Sequence, residues 1–453
     1  MLSEDTERLG TMPPGRLLLR LSLPGMASMA TMATYNIIDT LWLSKIGHEA
    51  IAALTVVLPF HILVIAASVG SGVGINSLVS RRFGERDIEA ANHIAGQIFP
   101  LSVFFSLLFI VAATFFTRQV LAVAGATADI MEYGVQYLVV ISFGTPFIFL
   151  LISANSLLRG SGDAVRPMIF MVTASITNVI LDPFLIFGIG FFPEMGVRGA
   201  ALATVLSQGL GAGISLGYLL LTRHSAYALK PHHLKPSWPI LKEIYRVGLP
   251  AVIMDISESL VFAFYNNTLS AYGSIALAAG GLSLRVIDLA FMPVFGASGA
   301  LLTIVGYSLG ARLWGRVWRS VIVASLGLAL TMAVATVILE FTAPLIVGVF
   351  SRDRQLIDAA IPAMRILLSS IAIVGPTVLF VTTFQGLSKG TDALILSLVR
   401  QLVFLVPILL VLPRFMGLMG VWLSLPLSDL LGFIVTGSWL FREYRIQTRA
   451  VRP

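Results

Sequence analysis

One apolar run follows another along this chain, most of them near the ~20 residues needed to cross a bilayer as a helix. Lipid offers no hydrogen-bond partner to a backbone N–H or C=O, so a run of this kind must satisfy itself as a helix. The alternating ~10-residue segments of a membrane β-barrel do not occur. Charged residues make up 12% of the chain, half the ~25% of a soluble domain. A soluble chain of 453 residues would also divide into domains joined by polar linkers. Twelve spans are expected, at roughly 17–43, 51–79, 93–116, 131–157, 166–190, 197–221, 240–269, 276–309, 318–343, 357–384, 392–412 and 417–440. The expected fold is an all-α integral membrane protein of twelve transmembrane helices.

The net charge of +7 raises the question of an anionic partner. Its distribution answers it. Of the thirty Lys and Arg, 21 fall in the N-terminus, the even-to-odd loops and the C-terminus, among them Arg81, Arg82, Arg86, Arg223, Lys230, Lys235, Arg312, Arg316, Arg319, Arg442, Arg445 and Arg449. Six lie in or at the ends bordering the alternate loops, those at span ends being counted with the loop they border, and Arg285, Arg365 and Arg400 fall well inside spans. This is the positive-inside pattern with both termini cytoplasmic. The basic charge orients the chain and meets lipid headgroups, and no nucleic-acid partner is expected. Residues 1–16 are polar with two prolines and do not resemble a secretory signal. The absence of cysteine excludes disulfides, thiolate metal sites and cysteine catalysis.

The two halves repeat. Pro24 and Pro250, Gly47 and Gly273, Ala52 and Ala278, Gly70 and Gly296, and Gly84 and Gly310 each stand 226 apart. Leu158 to Ala164 (LRGSGDA) resembles Leu387 to Ala393 (LSKGTDA) at 229, and Gly196, Gly199 and Ser207 match Gly417, Gly420 and Ser428 at 221. Each repeat holds six spans. An even number gives both halves one orientation and predicts a pseudo-two-fold axis along the membrane normal. The expected organisation is a cytoplasmic tail 1–16, an N-lobe 17–221, a cytoplasmic linker 222–239, a C-lobe 240–441 and a tail 442–453. Transporters built this way place substrate between the halves.

A charge in mid-bilayer costs about 2.5–3.5 kcal/mol on the insertion scale, so each one needs a reason. Asp39 lies fifteen residues beyond Pro24, whose ring kinks a helix, and Pro24 is the candidate hinge. Asp39 is either functional within the first span or seated in the outer headgroup region. Asn178 and Asp182 stand four apart on one helix face. With Asp39, and with Thr204 as a further oxygen, they could hold a proton or a hard cation such as Na+. The alternative is that Asp182 bonds local backbone beside Pro183. At offsets of 226 and 229 the counterparts of Asp39 and Asp182 are Tyr265 and Val411, so neither acid is duplicated. In the second half, Asp255 and Glu258 lie one turn apart and could attract cations. Arg285 and Asp288 are placed to neutralise one another, and Asp429 is ambiguous. Met26, Met29 and Met32 form a stripe that is either a soft substrate wall or plain packing. His61 reads as a hydrogen-bonded core histidine. His232 and His233 lie in the linker with no Cys or acid beside them in sequence, which argues against a metal there. Gly70, Gly72 and Gly74 sit in an apolar span with no preceding strand, and no Walker-type loop occurs, so no nucleotide site is expected.

Tyr35-Asn36-Ile37-Ile38-Asp39-Thr40, Arg81-Arg82-Phe83-Gly84, Arg159-Gly160-Ser161-Gly162-Asp163 and Asn178 to Pro183, set in two six-span lobes, resemble the MATE (multidrug and toxic compound extrusion) family from about Gly15 to Arg445. The resemblance is strongest to its DinF-type branch. It implies two helical bundles, alternating access, and antiport of organic cations against Na+ or H+ with no other cofactor. It carries ion coupling onto Asp39, Asn178 and Asp182, and accessory roles onto Tyr35, Tyr137, Asn155 and Thr204. The NorM-type branch uses acids in spans 7 and 10; here span 10 reads Phe380 to Gln385 without an acid. The expected partners are small-molecule organic cations and membrane lipids, in a prokaryotic inner membrane, with the chain acting as a monomer. The competing readings are a flippase for a lipid-linked precursor and a membrane enzyme; the second would need a polar constellation at the membrane face, and the sequence offers none.

Overall fold

The computed structural model describes residues 3–222, 226–350 and 352–451, so Arg223 and its neighbours in the linker lie outside the described residues. Among the described residues every regular element is a helix. Nine helices among the described residues are long and apolar enough to cross a membrane, and two bent pairs raise the number to eleven. The twelfth span is the helix Pro14–Ser44, 31 residues long, or about 46 Å at 1.5 Å per residue. Arg16 and Arg20 in its first turns and a run of Ser, Thr and Asn lower its apolar content, but not its reach.

Two compact units divide the chain: Met1–Thr11 with Pro24–Val252, and Met12–Leu23 with Ile253–Pro453. The first span therefore begins in the second unit and ends in the first, changing at Pro24. The seventh, Trp238–Ser270, does the reverse, changing two residues after Pro250. Within the second unit the Arg316 guanidinium donates to the Met12 carbonyl at 2.6 Å. The polar N-terminus is itself a helix, Glu4–Thr11, docked in the first unit: Leu9 is buried and the Thr6 hydroxyl donates to the Ser161 carbonyl at 2.8 Å. The linker is held as well. Tyr227 is buried against Phe83, its hydroxyl donates to the Leu157 carbonyl at 2.5 Å, and burial pushes its phenol well above the usual range.

The internal repeat is written into the backbone. The fourth span breaks at Gly144 into Ala128–Phe143 and Thr145–Gly160 with a bend of 48°, and the tenth breaks at Ser369-Ser370 into Arg354–Leu368 and Ile371–Gly386 with a bend of 45°. Pro146 lacks the N–H that would continue the first helix, and a serine pair marks the second, with the Ser369 hydroxyl donating to the Ile366 carbonyl at 2.6 Å. Gly144 and Ser370 are 226 apart. So are Arg86 and Arg312, and Gly162 and Ser388, all four with positive φ and the same pattern of turn hydrogen bonds. The offset of 229 expected for LRGSGDA and LSKGTDA is therefore corrected to 226. Beyond this turn, Val399–Leu405 is a π-helical stretch inside the continuous helix Gly390–Met416. A π turn takes up one extra residue, and the close helix contact past it confirms the count: Gly199 meets the Leu185 carbonyl and Gly420 meets the Leu412 carbonyl, the two leucines standing 227 apart. The counterpart of Asp182 is then Leu409 rather than Val411. It is still apolar, so the acid remains unduplicated.

Candidate functional site

Four helices of the first unit bring polar side chains to one place. Pro14–Ser44 supplies Tyr35 and Asp39, one turn apart; Ala128–Phe143 supplies Tyr137; Val165–Phe187 supplies Asn178 and Asp182; Val197–Leu221 supplies Thr204. The packing that holds them is apolar. Leu43, Tyr137, Ile186, Val197, Ala200 and Ala201 belong to one buried cluster, and Trp42 meets Phe187 edge-on at 6.0 Å. Thr204 reaches Asn178 because Gly199 lets its helix approach closely: a Cβ there would lie 2.3 Å from the Leu185 carbonyl oxygen.

The carboxyl groups of Asp39 and Asp182 lie within hydrogen-bonding reach of each other, and the phenols of Tyr35 and Tyr137 stand in the field of both. Asn178 Nδ2 donates to Asp182 Oδ1 and to Thr204 Oγ1, each at 3.3 Å. Asp182 is fully buried, and Asn178 and Thr204 nearly so. Three oxygens of the set, Asp39 Oδ1, Asn178 Oδ1 and Asp182 Oδ2, are buried and accept no hydrogen bond. A buried acceptor left unmet costs about 1–3 kcal/mol, and two adjacent carboxylates repel unless a proton or cation stands between them. Every unmet ligand atom is an oxygen, which suits a proton or a hard monovalent ion and no soft metal. The alternative for Asp182, bonding to backbone beside Pro183, is not what its hydrogen bond shows.

The other expected residues form no hydrogen bond with this set among the described residues. Asn155 is buried on Thr145–Gly160 with its Oδ1 unpaired. Met29 and Met32 are half-buried on the first span, two to three turns before Asp39. His61 is half-buried and makes no hydrogen bond with another described residue, so its expected core hydrogen bond is corrected. Asp255 and Glu258 belong to the second unit, where Asp255 is half-buried and Glu258 exposed. Arg285 and Asp288 form no ion pair among the described residues. Both are exposed, where a pair i,i+3 gains little, and Asp288 lies instead in the field of Glu258.

Arg400, without a role from the sequence, and the ambiguous Asp429 are joined by the fold. Arg400, on the π-helical stretch, donates from Nη1 to Asp429 Oδ1 at 2.9 Å, and its Nη2 lies 3.9 Å from Glu258. Ser370, at the bend of the tenth span, donates to Asp429 Oδ2 at 2.8 Å. Arg365 likewise finds a partner, Glu340, at 3.5 Å. The one signal available in advance was a lone cation in an unbroken apolar run, which must have a partner.

Known proteins share this plan. A family model described as MatE matches residues 24–184 and 250–411, each match opening on one proline of the repeat. The FAD transporter of Shewanella oneidensis is 26% identical over 431 residues, covering 94% of each chain. The multidrug export protein MepA of Staphylococcus haemolyticus is 26% identical over 415 residues, 91% of this chain and 90% of its own. The outward-facing structure of a multidrug resistance MATE family transporter of the MOP superfamily superposes with a TM-score of 0.93 at 27% identity, over 99% of this chain and 100% of that one. A MOP superfamily transporter from Pyrococcus furiosus, described as having a binding pocket of reverse polarity, gives 0.93 at 28% identity over 99% of each. Likeness over the whole chain carries the architecture of twelve spans in two lobes.

The Arg400–Asp429 pair yields a stability prediction. Arg400→Met leaves a buried carboxylate without its cation, which costs about 3–5 kcal/mol. Thermal unfolding of purified protein should show a large drop in Tm for Arg400→Met and recovery in Arg400→Met/Asp429→Leu, which removes both charges. A single variant as stable as wild type would mean that the pair holds nothing together.

Proposed function

The chain belongs to the MatE family and is a multi-pass membrane transporter, and on that premise we propose that it is a secondary multidrug exporter. It exchanges lipophilic organic cations for H+ or Na+ by alternating access, in a prokaryotic inner membrane with both termini cytoplasmic. Coupling runs through Asp39, Asn178 and Asp182 with Thr204, as in the DinF-type branch. One observation carries this reading: two neighbouring acids and three unmet oxygens meet in the first unit, while the equivalent positions of the repeat hold Tyr265 and Leu409. All the oxygen ligands come from side chains on spans 1, 5 and 6, so an ion held there pulls the second half of the first span toward the fifth and sixth. Drug is then expelled because the ion and the drug favour different arrangements; a ligand with equal affinity for both would shift nothing.

The direct test imposes H+ and Na+ gradients separately on vesicles and follows efflux of a cationic dye. Asp39→Asn and Asp182→Asn should each lower gradient-driven export by about tenfold or more, the scale of ordinary coupling energies, at unchanged membrane expression. Near-normal export in both variants would sink the assignment.

Pro24 marks the place where the first span passes from one unit to the other, and it is the hinge of this proposal. Pro24→Ala restores the missing backbone donor and stiffens the helix. Drug affinity should stay within about twofold of wild type while its dependence on pH or Na+ shrinks by about fivefold or more. An undiminished ion dependence would remove Pro24 from the coupling path and leave the ion site standing.

A second reading concerns cargo. The second unit carries Arg285 exposed and Arg400 beside Glu258 as well as its acids, and one relative is named an FAD transporter. These favour an anionic aromatic amphiphile, a class that a lipid-linked headgroup would share in charge. Competition binding of a lipophilic cation against a flavin dinucleotide separates the two. Preference for the cation is expected, and equal or tighter binding of the dinucleotide would move the cargo class to anions.

A further inference from the structure

His232 and His233, which have no acidic neighbour in sequence, acquire one in the fold. The helix Ile88–Gly96 presents Glu89, Asn92, His93 and Gly96 on one face, at spacings of three and four residues. The linker lies along that face. Asn92 Oδ1 accepts from the Ala228 N–H at 2.9 Å; Gln97 Nε2 donates to the carbonyls of His233 at 3.2 Å and Lys235 at 3.0 Å; and Gln97 Oε1 accepts from the Ser237 N–H at 2.9 Å. Gly96 is required, since a Cβ there would sit 2.1 Å from the His233 carbonyl oxygen. These contacts bring one ligand atom each from Glu89, His93, His232 and His233 within 4.8 Å of one another. The expectation that this pair lacks an acid partner is thereby corrected: Glu89 stands 143 residues away in sequence.

We propose that Glu89, His93 and His232 form a binding site for a late first-row divalent transition ion such as Zn2+, which clamps the linker between the repeats to the start of the third span. The donor set, two imidazoles and a carboxylate with no sulfur, suits such ions. The spacing suits them as well. His232 Nε2 lies 3.2 Å and His93 Nε2 3.8 Å from Glu89 Oε1, and ligands at about 2.0–2.2 Å around a tetrahedral Zn2+ stand about 3.3–3.5 Å apart. All three side chains are partly exposed, so an ion can enter. His233 has another task. It is fully buried, its Nδ1 accepts from the Lys230 N–H at 3.0 Å, and its Nε2 lies 2.8 Å from Glu89 Oε1. With Nδ1 accepting, the proton is on Nε2, so His233 donates to Glu89 and orients it instead of ligating. Metal sites commonly hold their carboxylates in this way. Lys230 is the neighbouring cation that acts on Glu89; the bound ion answers to the carboxylate and the two rings.

The full-length transporter, purified through a tag that contains no histidine and stripped of metal, is titrated with Zn2+ and separately with Co2+. One equivalent of Zn2+ should bind and raise Tm, and Co2+ should give the strong visible absorption of a four-coordinate site. His93→Asn and His232→Asn should each weaken binding by about a hundredfold or more, and the positioning variant His233→Asn by about ten- to a hundredfold. Without metal, the partly exposed His93→Asn and His232→Asn variants should unfold like wild type. No stoichiometric Co2+ absorption in the unaltered protein overturns the proposal whatever the variants do, and so does Zn2+ binding that survives His93→Asn/His232→Asn. Dye efflux is read in parallel, so failure of the metal site and failure of the exporter reading are separate results.

Discussion

A lipid bilayer gives no hydrogen bonds, and that single deficit organises the protein. It forces each span to close its own backbone ladder and makes every break in a ladder, and every buried charge, a place that needs a local partner. The two bends each have one, and at the first the Thr145 hydroxyl donates to the Ser142 carbonyl at 2.6 Å. Pro146 and Ser369-Ser370 mark the two bent spans, the Ser369 hydroxyl caps a freed carbonyl, and Ser370 turns to Asp429. In the second unit Arg400 meets Asp429 and Arg365 meets Glu340 by the same rule. Among the described residues of the first unit, Asp39 and Asp182 leave the rule incomplete: they face each other with oxygens that accept no hydrogen bond.

That contrast gives the two repeats different work. The second unit neutralises its buried acid internally through a fixed guanidinium, a charge that cannot be lost at physiological pH. Around Asp39 and Asp182 the first unit places an amide, a hydroxyl and two phenols, and the carboxyls there are free to exchange their counter-charge. A permanent partner makes a stable strut, and an exchangeable one makes a device that responds to what the solution supplies. The duplicated backbone thus hosts a responsive half and a fixed half on the same helical plan.

Much of this was legible in the residues because its cause is local. Pro24 and Pro250 announce themselves at one offset, and Asn178 and Asp182 are four apart, so their shared face follows from helix geometry. What stayed hidden depends on distant contacts or on backbone that composition does not specify. LSKGTDA resembles LRGSGDA in letters, yet the left-handed residue is Gly162 in one turn and Ser388 in the other, so matching by residue type slipped three places. Glu89 meets His232 only because Gln97 and Gly96 seat the linker on its helix. Arg400 finds Asp429 across two spans through a π turn that no pattern of polarity marks.

The π turn has a meaning for how such a repeat can drift. In an α-helix each added residue rotates everything after it by about 100°, so an insertion in a packed span would swing buried residues such as Leu409 away from their neighbours and toward lipid. Val399–Leu405 absorbs the extra residue in a widened loop of the ladder, and the helix beyond it keeps its facing. The eleventh span can therefore carry one residue more than the fifth without any change in which side chains look inward. Length and facing are decoupled at that one turn, and Arg400 is seated in it.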